Sequence, residues 1–138
     1  MTVGPGPNRV PVALTWINKG STMCHVLIIE DEPLVAMDLE WLLGSVGATS
    51  FAFAQSESEA VSMAIAQPPS FITSDVTLAE GTGPRAVYAI HEALGAIPVL
   101  YITGTPSACH PNVPMQPVLT KPFDRSAVMR AFQLCDVV

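Results

Sequence analysis

Charge is scarce in this chain: Asp, Glu, Lys and Arg make up only 13% of its 138 residues, and six of them are basic. Binding to nucleic acid needs a stripe of Lys and Arg. Six bases against twelve acids, a net charge of −6, argue against that partner. Apolar residues reach 49%, so a disordered chain or a coiled coil is excluded as well. Cysteine is rare. Cys24, Cys109 and Cys135 are odd in number and far apart, which suits reduced thiols in a cytoplasmic protein and not a disulfide framework. Apolar runs stay well below the ~20 residues of a membrane-spanning helix, so no membrane partner is expected.

What is present has the size of one domain. Residues 1–22 hold "VPVALTWI" behind Arg9, but Pro11 interrupts the run and no small-residue cleavage pattern follows. They read as a flexible Pro/Gly-rich leader, with residues 23–138 as the domain and Met23 as a possible original start. Proline, at 13 residues, crowds the leader and the stretch from Pro98 to Pro122, which leaves the middle of the chain free for long elements. "HVLIIE" is a β-branched apolar run that suits a strand buried on both faces. Pro33 then opens a helix carrying Val35, Leu39, Leu42, Leu43 and Val46 at helical spacing, closed by Gly44 and Gly47. "ATSFAF", "SFITSD", "IPVLYIT" and "PVLT" read as four further strands. Ser56 with Glu59 forms a capping box, Pro84 opens a helix bearing Val87, Ile90 and Leu94, and Asp124 caps a last helix. Alternating strands and helices predict a parallel sheet covered on both faces. "GTPSACHPNVPMQ" breaks the pattern and leaves room for one or two helical turns at most.

In such sheets ligands bind beyond the carboxyl ends of the strands. Those ends carry Glu30 and Asp31 after the first strand, Asp75 after the third, Thr103 on the fourth and Lys121 after the fifth. Two like charges ~4 Å apart repel by about 4 kcal/mol at an effective dielectric of 20. Three carboxylates therefore need a proton or a cation among them. An all-oxygen donor set suits Mg²⁺ or Mn²⁺, and Lys121 adds a fixed positive charge. A carboxylate so flanked is a plausible phosphoryl acceptor.

The segments "HVLIIEDEPLVAMDLEWLL", "ITSDVTLAEGTG", "IPVLYITG" and "LTKPF" together resemble the receiver domain of two-component response regulators, from about Cys24 to Val138. The resemblance implies a chemotaxis-type, flavodoxin-like fold: a doubly wound α/β sheet of five parallel strands in the order 2-1-3-4-5, here with a shortened or irregular fourth helix. It implies that Asp75 accepts a phosphoryl group from a histidine kinase or phosphotransfer protein. Glu30, Asp31 and Asp75, with the backbone carbonyl of Thr77, would hold the magnesium. Thr103 would be the switch hydroxyl and Lys121 the phosphoryl contact, with a cis bond between Lys121 and Pro122. An unidentified target protein would read the switch, and the chain would be a monomer or a phosphorylation-dependent dimer.

Two departures stand out. The place three residues before the lysine, often aromatic in the family, holds Val118, while Tyr101 precedes Thr103 in "YITGTP". That is similar to single-domain receivers with an aromatic-x-Thr-Gly motif in stress signalling, although Pro106 replaces the motif's later aromatic. Thr77 offers no amide or acid to orient a water, so a slowly hydrolysing acyl phosphate is expected. Tyr101 alternates with Leu100 and Ile102 and reads equally as core packing. His25 and His91 read as packing or surface residues, Trp41 as helix surface, and the Cys109–His110 pair lacks a second pair for zinc. Two alternatives stay open: a small Mg²⁺-dependent phosphohydrolase with an aspartyl nucleophile, and a receiver that switches without phosphate. The first is disfavoured because neither Asp31 nor Asp75 has a second aspartate two residues on.

Overall fold

The computed structural model describes residues 23–104 and 118–134. The leader, the irregular stretch after the fourth strand, Pro106, the Cys109–His110 pair and Cys135 lie outside them. Five strands, β1 (His25–Ile29), β2 (Ser50–Ala54), β3 (Phe71–Ser74), β4 (Val99–Thr103) and β5 (Val118–Thr120), form one parallel sheet in the order β2-β1-β3-β4-β5. Four described helices, α1 (Pro33–Gly44), α2 (Glu57–Ala66), α3 (Gly83–Leu94) and α4 (Arg125–Leu134), complete the doubly wound architecture.

Side-chain alternation along the strands divides the interior into two cores. Leu27 and Ile29 of β1 and Ile72 of β3 pack with Ala60, Ala64, Val87 and Ile90 of α2 and α3. Cys24, Val26, Ile28 and Phe71 point the other way, onto Leu39, Leu42 and Leu43 of α1 and Val128 and Phe132 of α4. Phe71 and Phe132 meet edge to face with ring centroids 5.0 Å apart. All five residues of β1 are buried, His25 among them, as the apolar run Val26 to Ile29 requires for a central strand.

The helix boundaries follow local chemistry. Pro33 occupies the first turn of α1, and the chain leaves that helix through Gly47 at φ 125°, a conformation that excludes most side chains. Ser56 caps α2 by accepting from the Glu59 N–H at 3.2 Å, while Glu59 reaches back to the N–H of Gln55, one residue before the expected partner. Thr82 caps α3 through the Arg85 N–H, a role the sequence reading had not given it. Asp124 accepts from the Ser126 N–H ahead of α4. β2 is displaced from the apolar reading because its ladder starts where Ser50 pairs with His25; the Thr49 hydroxyl turns back to accept from the Cys24 N–H. Trp41 is exposed, as expected, and Tyr101 is 2% exposed and packs in the core beside Val99 and Val118.

Candidate functional site

Strand order reverses between β1 and β3, so the crevice lies beyond the carboxyl ends of those two strands. Glu30 follows β1 directly, and Asp75 follows β3, its N–H donating to the Ile29 carbonyl at 2.9 Å. Both carboxylates are thereby held at the same level of the sheet. Asp75 is fixed further from its own side: the Val76 N–H donates to Asp75 Oδ1 at 2.8 Å, and the Ser74 hydroxyl donates to the Asp75 carbonyl at 2.8 Å. Gly83 lies against the same carbonyl. A Cβ there would collide with the Asp75 backbone oxygen and with Ser74 Oγ, so only glycine lets α3 start this close.

Lys121 closes the site from the far side. Its N–H donates to the Thr103 carbonyl at 2.8 Å, which ties the segment after β5 to the end of β4. The Lys121–Pro122 bond is cis. The ammonium donates to Asp75 Oδ2 at 3.0 Å, Glu30 Oε2 at 3.1 Å and Glu32 Oε1 at 2.6 Å. Thr103 is buried at the end of β4, next to this link. Asp31, Glu32, Asp75, Thr77, Gly104 and Lys121 line an open cleft of about 570 Å³.

The structure thus brings Glu30, Asp75 and Lys121 into contact and sets Asp31 and Thr77 on the cleft wall. It also brings in Glu32, which the sequence reading had not singled out. Three carboxylates meet the ammonium, and they are those of Glu30, Glu32 and Asp75, with ligand oxygens within 4.8 Å of one another. In "IEDEP" three acids follow one another, and no sequence signal says which of them turns toward a lysine 89 residues on from Glu32. Ser74 and Gly83 were also missed. The "GTGP" segment marked a loop without revealing what the glycine approaches.

Electrostatics follow from burial. Side-chain exposure is 2% for Glu30, 9% for Asp75 and 16% for Lys121, against 60% for Glu32. Burial, reinforced by the charge of Asp75, raises the Glu30 carboxyl to about 7, with Lys121 and the Glu32 N–H pulling the other way. Burial alone would lower the Lys121 ammonium. Its hydrogen bonds to Glu32, Asp75 and Glu30 outweigh that and raise it above its ordinary value. Three carboxylates against one ammonium leave two formal negative charges in the cluster. The oxygen donors of Glu30 and Asp75, beside Asp31 and Thr77 on the cleft wall, fit a hard divalent cation such as Mg²⁺.

Comparison with known proteins agrees with this geometry. A family model described as the response regulator receiver domain matches residues 26–133. The phyllosphere-induced regulator PhyR of Methylorubrum extorquens is 35% identical over 109 residues, covering 75% of this chain and 40% of that protein. The receiver domain of Erythrobacter litoralis PhyR, solved by NMR, superposes with a TM-score of 0.75 at 31% identity, over 83% of this chain and 91% of that one. The crystal structure of the anti-anti-sigma factor PhyR from Bartonella quintana gives 0.69 at 33% identity, over 87% of this chain and 50% of that one. The chain therefore spans about half the length or less of the longer PhyR proteins that it matches. A five-stranded parallel sheet whose carboxyl edge carries Glu30, Asp75 and Lys121, with the family model matched along 26–133, places this chain in the response regulator receiver family.

Proposed function

We propose that this chain is a phosphorylation switch in which Asp75 accepts a phosphoryl group from a histidine kinase or phosphotransfer protein and, so modified, alters its affinity for a target protein. The observation that carries this reading is the placement of Lys121 Nζ, 3.0 Å from Asp75 Oδ2 and 3.1 Å from Glu30 Oε2, at the reversal point of the sheet. Oδ1 of Asp75 accepts from the Val76 N–H, and Oδ2, which meets the Lys121 ammonium, is the oxygen we assign as the nucleophile. It would form the new O–P bond while the donor's N–P or O–P bond breaks, and the donor's leaving atom takes the electron pair.

Glu30, Asp31 and Asp75, with the Thr77 carbonyl, are the residues we assign to a bound Mg²⁺. When bound, that ion would offset the charge that gathers on the phosphoryl oxygens. Lys121 would supply a second cation and orient the group. Phosphorylation adds roughly −1.5 to −2 charge at one end of β3. Thr103, whose carbonyl already holds Lys121, is placed to pass the change into β4 and β5, so that the surface beyond those strands takes a second arrangement. Similarity to PhyR proteins, described in one case as an anti-anti-sigma factor, suggests a stress-signalling pathway in the cytoplasm and an anti-sigma factor as the target to test first.

Mass spectrometry after treatment with acetyl phosphate and Mg²⁺ tests the reading. A single phosphoryl adduct, absent in Asp75→Ala and without Mg²⁺, is the expected result. Repeated turnover of a phosphomonoester would favour a phosphohydrolase, and no adduct in the unsubstituted chain would refute phosphoryl acceptance.

A further inference from the structure

Resting on that reading, we propose that Glu32 is a latch: in the unphosphorylated protein it holds the Lys121 ammonium, and it competes for that ammonium with a phosphoryl group on Asp75. An ammonium has three N–H donors, and here Glu30, Asp75 and Glu32 take all three. The Glu32 contact is the shortest, at 2.6 Å. A phosphoryl group on Asp75 Oδ2 takes over that oxygen's place at the ammonium and brings further acceptor oxygens, so a second phosphoryl contact requires Glu30 or Glu32 to yield.

Of those two, Glu32 has the less to lose. Its side chain is 60% exposed, so water replaces the lost contact, whereas Glu30 and Asp75 sit at 2% and 9%. A released Glu30 would be a buried carboxylate with no cation beside it and only the Glu32 N–H to bond, which is costly.

The backbone supports a dedicated role. Glu32 is the N-cap of α1, where a side chain ordinarily turns inward to accept from the first helical N–H groups. It makes no such bond and extends instead to the loop after β5. Its own N–H donates to Glu30 Oε2 at 3.0 Å, which fixes the start of that arm beside the cluster. The latch therefore spans from the first helix to the segment that carries Lys121. It favours the resting state twice over, by occupying the ammonium and by placing a negative charge where the phosphoryl dianion arrives. Glu32 is thus a positioning residue that acts through Lys121.

The test uses beryllofluoride, a phosphoryl mimic, at saturating Mg²⁺, with its dissociation constant read by calorimetry on the full chain. Glu32→Gln should bind it about two- to fivefold more tightly, the range an exposed ion pair supports. In parallel, urea denaturation without beryllofluoride is run on Glu32→Gln, Lys121→Met and the double variant. Glu32→Gln should weaken the fold only while Lys121 is present. A variant that loses resting stability through Lys121 and yet gains affinity for the anion is the signature that a merely structural residue cannot produce. Unchanged or weaker beryllofluoride binding by Glu32→Gln refutes the latch, as does equal destabilisation in the Lys121→Met background. Weaker Mg²⁺ binding by Glu32→Gln, titrated with the metal alone, refutes it too, because Glu32 would then be a metal ligand. Beryllofluoride that does not bind the unsubstituted chain, or binds Asp75→Ala equally well, refutes the acceptor reading itself and is thereby distinguished from a failure of the latch.

Discussion

Replacing Lys121 by methionine removes the one ammonium of the acidic cluster while keeping most of the side chain's volume, and its cost should depend on pH in a calculable way. Glu30 lies at about 7 with Lys121 in place, and without it the carboxyl climbs further. At pH 8 that climb is useful only until Glu30 takes a proton. Its share of the loss is therefore capped by one pH unit, about 1.4 kcal/mol. Loss of the charged hydrogen bond to Asp75 adds about 1.5 kcal/mol, the lower end for such bonds because Lys121 is not fully buried. The exposed pair with Glu32 adds at most about 1 kcal/mol at either pH, so the sum is about 3 to 4 kcal/mol at pH 8. At pH 5.5 Glu30 already holds its proton in both proteins, since its folded value lies above that pH, so its share disappears and about 1.5 to 2.5 kcal/mol remains. The sign is fixed by linkage: a carboxyl raised on folding binds its proton more readily in the native state, and acidification relieves the strain its removed partner leaves behind. His25 titrates over the same interval in both proteins and drops out of the difference. Urea denaturation of the two proteins in EDTA, at pH 8 and pH 5.5, measures both losses. Equal losses at the two values, or a larger one at pH 5.5, would show that Lys121 does not compensate Glu30.

Two other outcomes follow from the geometry. Gly83→Ala should destabilise the protein by at least about 2 kcal/mol, because its Cβ meets backbone and not a side chain that can turn aside; a thermal midpoint within a degree of the original would contradict the close approach of α3 to Asp75. His25 is buried, bonds Ser50 Oγ at 2.7 Å through Nδ1, and burial lowers its pKa below the ordinary 6.5. The unfolded chain therefore takes up the proton first, and the stability present above pH 6.5 is lost as the pH falls through the folded value. Urea midpoints for His25→Gln and the unsubstituted protein should converge on acidification, and a gap that stays constant between pH 7.5 and 5.5 would be the contrary result.

How far a sequence reading carries depends on how local the deciding physics is. β1 was legible because a central parallel strand needs apolar residues on both faces, and Val26 to Ile29 supply four in a row. The α1, α2 and α4 starts were legible because Pro33, Ser56 and Asp124 act on neighbouring backbone. Strand ends were harder: β2 begins at Ser50 because that residue pairs with His25, which the propensity of "ATSFAF" does not encode. The convergence of Glu30, Asp75 and Lys121 could be anticipated, since a parallel sheet sends all its strand ends to one edge.

By itself, then, the sequence determined the alternation of strand and helix, the two-sided burial of the sheet and the strand ends on which the chemistry sits, because hydrophobic period and capping are read within a few residues. Only the tertiary structure decided that Glu30 and Glu32, and not Asp31 between them, bond Lys121, how closely Gly83 lets α3 approach Asp75, and how deeply each carboxylate is buried. Those depend on distances between segments far apart along the chain, and a charge's energy in a protein is set by its surroundings more than by its identity.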